Sequence, residues 1–276
     1  MNNIQKKIPV LMYHALTEEQ AEHPSIHISI KLFLQQLEWL SENKYCTISI
    51  DQMLEGFKTN EDFSNCCVIT FDDGYYSLYK HALPLLKKYN FTATLFLTTG
   101  AVNQNNFNGL PFIYPDSLPV KDRPLTWNEI KEMHRNGWSV QSHSITHADN
   151  SKLSAQELSN ELKLSRAAIE QELQQSVMHY AFPFGKYSSE SLKFVEASGY
   201  ASAFTVHPGL CTAYNNHFRL PRIEINSKDN IPSFSKKINS GYPSLTEKIR
   251  GTVRDILFKN PAVKDLSKRI AGKKIN

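Results

Sequence analysis

The chain has 276 residues, of which 41% are hydrophobic, and it carries a formal net charge of +4. A chain of this length and composition can bury a full core and is typical of a single α/β domain. It contains no internal repeat and no low-complexity tract, which excludes a repeat architecture. No known nucleic-acid-binding module accompanies its basic residues, so nucleic acid is not an expected partner.

Segments with strand patterns and helix patterns alternate along the chain. Residues 8–14 predict a strand, and Ile30–Glu42 predicts an amphipathic helix capped by Ser29, because its apolar residues recur at helical spacing. Residues 101–124, rich in Asn and Pro, predict a long loop. Strands alternating with helices predict a parallel sheet, whose functional residues lie at the carboxyl ends of the strands. Further helices are predicted at residues 77–89, 125–136, 154–174 and 189–198, and further strands at residues 91–98, 180–184, 201–206 and 220–225.

Two adjacent acids, Asp72 and Asp73, follow a short apolar run at residues 66–69. Neighbouring carboxylates repel each other, so one pKa should rise and the other fall unless a cation compensates both charges. A buried strand that ends in two acids is therefore typical of a functional site. Taken alone, an Asp-Asp-Gly sequence is more often a simple turn.

Two histidines, His143 and His147, stand four residues apart after the apolar-alternating residues 138–140. At this spacing one helical turn presents both rings on one face. Together with Asp73 they form a set of three ligands of the kind that zinc uses for hydrolysis. Such a histidine pair alone more often marks a solvated helix face, but the two motifs together, each after a predicted strand, favour a metal site.

The sequence TFDDG at residues 70–74, followed by HSITH at residues 143–147, resembles the polysaccharide deacetylase family. This family is also known as the NodB-homology domain or carbohydrate esterase family 4, and the resemblance extends over about residues 8–225. It implies a distorted, incompletely closed (β/α) barrel and a metal-dependent hydrolase. The implied cofactor is a divalent metal, with zinc expected and cobalt or nickel as alternatives.

The resemblance also implies roles for individual residues. Asp72 corresponds to the general base of the family, whereas Asp73, His143 and His147 correspond to its metal ligands. Residues 9–14 resemble the opening strand of the poly-N-acetylglucosamine deacetylase branch, in which a histidine near the amino terminus is the general acid. His14 is therefore the candidate acid, and the alternative is a hydrogen-bonded histidine at a strand end.

Two later segments extend the resemblance. Residues 182–185 resemble a Pro-aromatic-Gly motif, which implies that the backbone N–H of Phe184 donates to the oxyanion. A strand that ends in a turn is the alternative. Many family members carry an arginine two residues before that proline, where this chain has Ala181. Residues 220–223 resemble a strand of the same branch, and Arg222 is a candidate to pair with Asp72 or to fix the pocket. A surface arginine is the alternative.

The cysteines and the amino terminus bear on the compartment. The four cysteines show no CxxC spacing, and the adjacent strand residues Cys66 and Cys67 point to opposite faces, so neither a disulfide framework nor a structural zinc is expected. Reduced thiols fit a cytoplasmic protein. The first apolar run breaks at Tyr13 after about five residues, too short for a signal-peptide core or a membrane span. A cytoplasmic location is therefore predicted.

Charge divides the chain into a catalytic domain at residues 1–246 and a basic, helix-patterned tail at residues 247–276. The tail holds nine Lys/Arg and three Asp/Glu, which leaves 22 basic and 24 acidic residues in the rest of the chain. It is expected either to lie on an anionic membrane, at the inner face of the cytoplasmic membrane, or to pack on the barrel as a solvated helix.

The function expected from the sequence is removal of the N-acetyl group from an amino sugar of a bacterial cell-envelope glycan or glycolipid intermediate. The expected partners are this N-acetylated substrate and, through the tail, an anionic membrane. The alternatives are deacetylation of a soluble oligosaccharide or another acyl substrate, and a catalytically silent glycan-binding barrel.

Overall fold

A parallel β-sheet organises the chain in a computed structural model that describes residues 7–18, 26–59, 61–108, 110, 122–244, 246 and 249. The strands in these residues are β1 (Val10–Tyr13), β2 (Ala15–Thr17), β3 (His27–Ser29), β4 (Cys46–Thr47), β5 (Cys66–Asp73), β6 (Thr94–Leu97), β7 (Ser139–Ser142), β8 (His179–Ala181), β9 (Ser202–Phe204) and β10 (Ile223–Glu224). The helices are α1 (Ile30–Glu42), α2 (Ile50–Thr59), α3 (Leu83–Lys88), α4 (Trp127–Arg135), α5 (Ala155–Leu173), α6 (Ser189–Ala197) and α7 (Ile231–Ser240).

Eight of the described strands form one parallel sheet in the order β10, β1, β5, β6, β7, β8, β9, with β4 paired to the start of β5. The sheet curls so that its two edges approach each other. Phe204 at the end of β9 forms a parallel bridge with Leu220, which lies shortly before β10. The Thr205 N–H donates to the Leu220 carbonyl at 2.9 Å across this seam. The predicted distorted, incompletely closed (β/α) barrel is therefore confirmed.

Apolar side chains pack on both faces of the sheet. The inner cluster includes Val10, Val68 and Phe96, whereas Ile69 and Leu95 belong to the larger cluster between the sheet and the helices. Successive strand residues point to opposite faces, so each strand contributes to both clusters. Asp72 and Asp73 lie buried at the carboxyl end of β5, and His143 lies buried directly after β7.

Local signals in the sequence account for the helix boundaries. The helix predicted at Ile30–Glu42 has these bounds, and the Ser29 hydroxyl accepts a hydrogen bond from the Leu32 N–H at 3.2 Å. In α5, Ser154 and Glu157 form a reciprocal capping box, which fixes the start of the helix. The helices α2 and α7 and the short strands β2, β3 and β4 were not predicted.

Several elements differ from the sequence prediction in extent. The helix expected at residues 77–89 begins with one π-helical stretch, Leu78–Ala82, before α3. The strand expected at residues 180–184 ends at Ala181, because a 3₁₀ turn at Pro183–Gly185 follows. Much of the loop predicted at residues 101–124, and the tail at residues 247–276 except residue 249, lie outside the described residues. Among the described helices, none has the length and apolar character needed to cross a membrane.

Candidate metal and catalytic site

The carboxyl ends of four strands meet around the predicted site. Phe71 of β5 pairs with Tyr13 of β1, so the residues that follow, Asp72 and His14, lie at the same end of neighbouring strands. Leu97 of β6 pairs with Asp73 on one side and with Ser142 of β7 on the other, which brings the segment after β7 beside the two acids. The parallel register therefore assembles side chains that are far apart in the sequence.

Asp73, His143 and His147 converge as a possible metal-binding group. Asp73 Oδ1 lies 3.6 Å from His143 Nε2 and 3.4 Å from His147 Nε2, and the three potential ligand atoms all lie within 4.8 Å of one another. Ligands of a tetrahedral zinc ion, with bonds of about 2.0–2.2 Å, are separated by about 3.3–3.6 Å. Asp73 Oδ1 is also buried without a hydrogen-bond partner in the described residues. A buried acceptor of this kind and the mixed oxygen and nitrogen donors fit a borderline metal such as zinc.

The electrostatics of these three groups favour the ligand forms of the histidines. Burial lowers the pKa of both His143 and His147 to about 4, so both rings are neutral at neutral pH. Burial also raises the pKa of Asp73, an effect that a bound cation opposes. His143 Nδ1 lies 2.8 Å from the Ala181 carbonyl, so the Nδ1–H donates there and the Nε2 lone pair faces Asp73.

The conformation of the segment that carries the two histidines corrects one prediction. His143 and His147 do not lie on a helical turn, because the chain after β7 is irregular. Ser144 and His147 adopt positive φ angles of 71° and 61°, and the Ser144 hydroxyl accepts a hydrogen bond from the His147 N–H at 2.9 Å. The two rings still approach to 4.8 Å between centroids. The prediction that the two rings lie close together is confirmed, but the helical turn that was expected to bring them together is absent from this described segment.

Glu161 of α5 binds the segment that carries the two histidines through its carboxylate group. Its Oε2 accepts from the Ile145 N–H at 2.7 Å and from the Thr146 N–H at 3.0 Å, and its Oε1 accepts from the Thr146 hydroxyl at 2.7 Å. The side chain is 8% exposed. Sequence analysis missed this residue, whose one signal is an acid on the core-facing side of an amphipathic helix.

Asp72 binds Arg222 through both carboxylate oxygens. Arg222 Nη1 donates to Oδ1 at 2.6 Å and Nη2 donates to Oδ2 at 2.7 Å, while Nε donates to the Thr205 carbonyl at 3.1 Å. Burial raises the pKa of Asp72. The charges of Arg222 and His143 and the hydrogen bonds from Arg222 more than offset burial, so the pKa of Asp72 is lowered to about 2. Arg222 is fully buried, so the alternative of a surface arginine is wrong, and the pairing with Asp72 is observed.

The candidate acid His14 follows β1 and is partly buried. It lies near enough to Asp72 and Asp73 to act electrostatically on both carboxyl groups. Its Nδ1 is buried without a hydrogen-bond partner in the described residues, unlike the hydrogen-bonded strand-end histidine considered as the alternative. The role of His14 as acid stays a prediction.

Phe184 lies directly beside the histidines. Its ring centroid is 4.5 Å from that of His147, and its φ angle is 55°, in the left-handed region. Asp73, Ser144 and His147 share this conformation, which is costly for residues other than glycine. Four of the nine non-glycine residues with a positive φ in the described part of the chain therefore lie at the site. The function of the Phe184 N–H as an oxyanion donor stays a prediction.

Tyr75 is a second residue that sequence analysis missed. Its side chain is buried, and the Asp73 charge, after burial, contributes to raising the pKa of the Tyr75 hydroxyl well above its usual value. Tyr75 therefore lies in the electrostatic surroundings of Asp73. The residue stands two positions after the acid pair, and its aromatic character alone does not indicate a place beside the site.

A family profile described as polysaccharide deacetylase matches residues 60–203, just over half of the chain and including both acids and both histidines. The chain therefore belongs to the polysaccharide deacetylase family, as the sequence resemblance indicated. Members similar to it are carbohydrate deacetylases, so the chain is a hydrolase of the carbohydrate esterase family 4 type.

Individual relatives extend over most of the chain. The Bacillus subtilis protein YxkH is 28% identical over 235 residues, which cover 85% of this chain and 77% of the relative. A Staphylococcus aureus poly-β-1,6-N-acetyl-D-glucosamine N-deacetylase is 28% identical over 210 residues, 72% of this chain and 67% of the relative. The structure of the Streptococcus pyogenes deacetylase PplD in complex with acetate superposes with a TM-score of 0.74 at 27% identity, covering 85% of this chain and 99% of PplD.

Proposed function

We propose that the chain hydrolyses the N-acetyl group of an amino sugar in a cell-envelope glycan or glycolipid intermediate. One observation carries this proposal. Asp72, held by Arg222, lies directly beside the Asp73, His143 and His147 group at the carboxyl end of the sheet. An ionised base next to a group that can bind a metal is the arrangement that hydrolysis of an unreactive amide requires.

The roles of the acids separate in this arrangement. Asp73, His143 and His147 would hold the divalent metal, proposed to be zinc with cobalt or nickel as alternatives. A bound divalent metal polarises a carbonyl and lowers the pKa of water to about 7. Asp72 would accept the proton of the attacking water, and Arg222 keeps its carboxylate ionised and fixed in orientation.

His14 would donate the proton that the departing amine needs. An amine leaves poorly unless its nitrogen is protonated, so an acid at this point typically contributes a factor of about 10²–10⁴ to the rate. His14 directly follows β1, the strand that pairs with β5, which allows base and acid to act on one substrate. The Phe184 N–H would donate to the oxyanion, a contribution worth roughly 3–4 kcal/mol in comparable sites.

The substrate class rests on relatives rather than on a bound ligand. The Staphylococcus aureus relative is by name an N-deacetylase of poly-β-1,6-N-acetyl-D-glucosamine, and PplD is by name a deacetylase. An N-acetylated amino sugar of the cell envelope is the substrate that these names favour for this chain.

We further propose that residues 247–276 contact an anionic membrane, so that the enzyme works at the inner face of the cytoplasmic membrane. The support is the excess of nine Lys/Arg over three Asp/Glu in this segment. Each basic residue near an anionic surface contributes about 1 kcal/mol of attraction. A chain lacking residues 247–276 should lose sedimentation with anionic vesicles and activity on lipid-linked substrate, and keep activity on soluble oligomers. Unchanged vesicle binding and activity would contradict the membrane proposal.

The experiment that tests the reaction measures acetate released by the full chain from two substrate panels, with Zn²⁺ or with a chelator. The panels are N-acetylglucosamine oligomers and extracted bacterial glycolipids, with an O-acetylated sugar as a third class. The proposal predicts chelator-sensitive release from a glycan or glycolipid panel. Release from the O-acetylated sugar alone would replace the amide proposal by an ester one. Absence of release from all panels by metal-loaded protein would favour a glycan-binding barrel.

A further inference from the structure

A pair of free thiols, Cys46 and Cys66, lies at the opposite end of β5 from the site. The two residues are directly paired in the parallel register of β4 and β5, and their Sγ atoms are 2.8 Å apart. Directly paired residues on neighbouring strands have Cα atoms about 5 Å apart, within the range of about 4.4–6.8 Å that a disulfide needs. The backbone therefore already places the two sulfurs where a covalent bond can form.

The two thiols differ in access to solvent, as a stepwise oxidation requires. Cys46 is exposed on the short edge strand β4, whereas Cys66 is 8% exposed. Burial, followed by the hydrogen bond and charge of Cys46, raises the pKa of Cys66 to about 12. The exposed Cys46 is therefore the thiol that a dissolved oxidant reaches first. Cys67 and Cys211 are fully buried and have no such neighbour at hydrogen-bond distance, so they serve as internal controls.

We propose that Cys46 and Cys66 form a reversible disulfide by exchange with a small disulfide oxidant of the glutathione type. The Cys46 thiolate attacks one sulfur of oxidised glutathione, breaks its S–S bond and releases one glutathione thiolate. The Cys66 thiol then gives up its proton to solvent, attacks the Cys46 sulfur and expels the second glutathione. One oxidised glutathione and two protein thiols thus give one protein disulfide and two reduced glutathiones.

The bond closes a ring over residues 46–66, which contains α2. This helix carries Ile50 and Met53 into the inner cluster, and Asp51 pairs with His179 of β8 at 3.1 Å. Cross-linking the ring restricts the unfolded chain and keeps α2 against the base of the barrel. The catalytic groups lie at the other end of β5, so the bond acts on stability rather than on the chemistry.

The test treats the full chain with oxidised glutathione and then with dithiothreitol. The expected result is a loss of two hydrogen atoms in intact mass, a peptide linked between Cys46 and Cys66 without reductant, and a rise in Tm of roughly 5–10 °C that reductant reverses. Cys67 and Cys211 should remain reactive to alkylating agents only after unfolding. Acetate release should be unchanged.

Variants separate the two steps. Cys66→Ser should retain glutathione on Cys46 as a persistent mixed disulfide, and Cys46→Ser should take up none. A stable glutathione adduct on Cys46 in the wild-type chain, absence of the linked peptide, or an unchanged Tm after complete cross-linking would overturn the proposal.

Discussion

Arg222 contacts both oxygens of Asp72, although the two residues are separated by 150 positions in the chain. The guanidinium is fully buried and the carboxyl group is nearly so. Ala181 stands where many family members have an arginine, and its buried side chain packs in the inner cluster. The charge beside the proposed base therefore comes from Arg222, which directly precedes the edge strand β10, and not from the position of Ala181 in β8.

Replacing Arg222 should change the pH dependence of the reaction. In Arg222→Met, the positive charge that counters the effect of burial on Asp72 is lost, so the pKa of Asp72 rises from about 2 towards the pH range in which the enzyme works. Since a base acts only when ionised, and a higher pKa protonates it at higher pH, the acid limb of kcat/KM should move to higher pH. Activity at neutral pH should fall at least about tenfold.

The matched variant Arg222→Lys keeps one charge but loses the two-point contact, so its acid limb should move less. Thermal unfolding of both variants reports whether the fold persists. An acid limb in the wild-type position in a folded Arg222→Met protein would show that Arg222 does not set the protonation of the base.

Glu161 should act as a positioning residue for the two histidines. Glu161→Leu removes both carboxylate oxygens, so the Ile145 and Thr146 N–H groups lose the acceptor that Oε2 provides. Zn²⁺ affinity, measured by competition with a chromogenic chelator, should fall about 10–100-fold. Glu157→Leu on the same helix is the control, because Glu157 caps α5 at the surface. It should lower stability by at most about 1 kcal/mol and leave metal affinity unchanged. Equal metal affinities in the two variants would contradict the assignment.

His14 should matter more for an amide than for an activated ester. An amine must be protonated to leave, whereas 4-nitrophenolate leaves without a proton. His14→Asn should therefore lower acetate release from N-acetylglucosamine oligomers by about 10²–10⁴ and lower hydrolysis of 4-nitrophenyl acetate much less. Steady-state rates on both substrates at several pH values measure this difference. An equal loss on both substrates would indicate a structural or binding role.

Gly185 should be required for the position of the Phe184 backbone. A Cβ at Gly185, where φ is 63°, would lie 2.4 Å from Val206 Cγ2 and 2.7 Å from the Val206 nitrogen. Gly137 also has a positive φ, 89°, but a Cβ there would meet nothing within 4 Å. Both alanine variants lose about 1 kcal/mol for the left-handed conformation. Only Gly185→Ala should also lower kcat, because the collision displaces the proposed oxyanion donor. Equal kcat in both variants would argue against this donor.

Sequence reasoning anticipated the three residues that could bind a metal, because short motifs carry them. Asp73, His143 and His147 are brought together as expected, and α1 has its predicted bounds because Ser29 caps a regular apolar pattern. Conformation was harder to predict. The left-handed backbone at Ser144 and His147 depends on Glu161 and on Ser144 itself, contacts that residue spacing does not encode.

Strand β4 and helix α2 were not predicted, because each has a weak sequence pattern. Strand β4 has two residues, too few for a period-two pattern, so the pairing of Cys46 with Cys66 could not be read from the sequence. Helix α2 is one turn shorter than α1 and contains Gly56, which weakens its helical signal. The approach of Arg222 to Asp72 was anticipated only through family resemblance, because long-range pairing depends on the strand order.

The most direct test of the account compares Asp72→Asn with Asp73→Asn. The two variants carry the same substitution at adjacent positions, one at the proposed base and the other at a proposed metal ligand. Acetate release from N-acetylated glycan and bound Zn²⁺ per chain are measured on the same folded preparations. The account predicts that Asp72→Asn binds Zn²⁺ within a few-fold of the wild-type affinity but releases almost no acetate, whereas Asp73→Asn loses both. Substantial acetate release by Asp72→Asn, or wild-type Zn²⁺ affinity in Asp73→Asn, would contradict it.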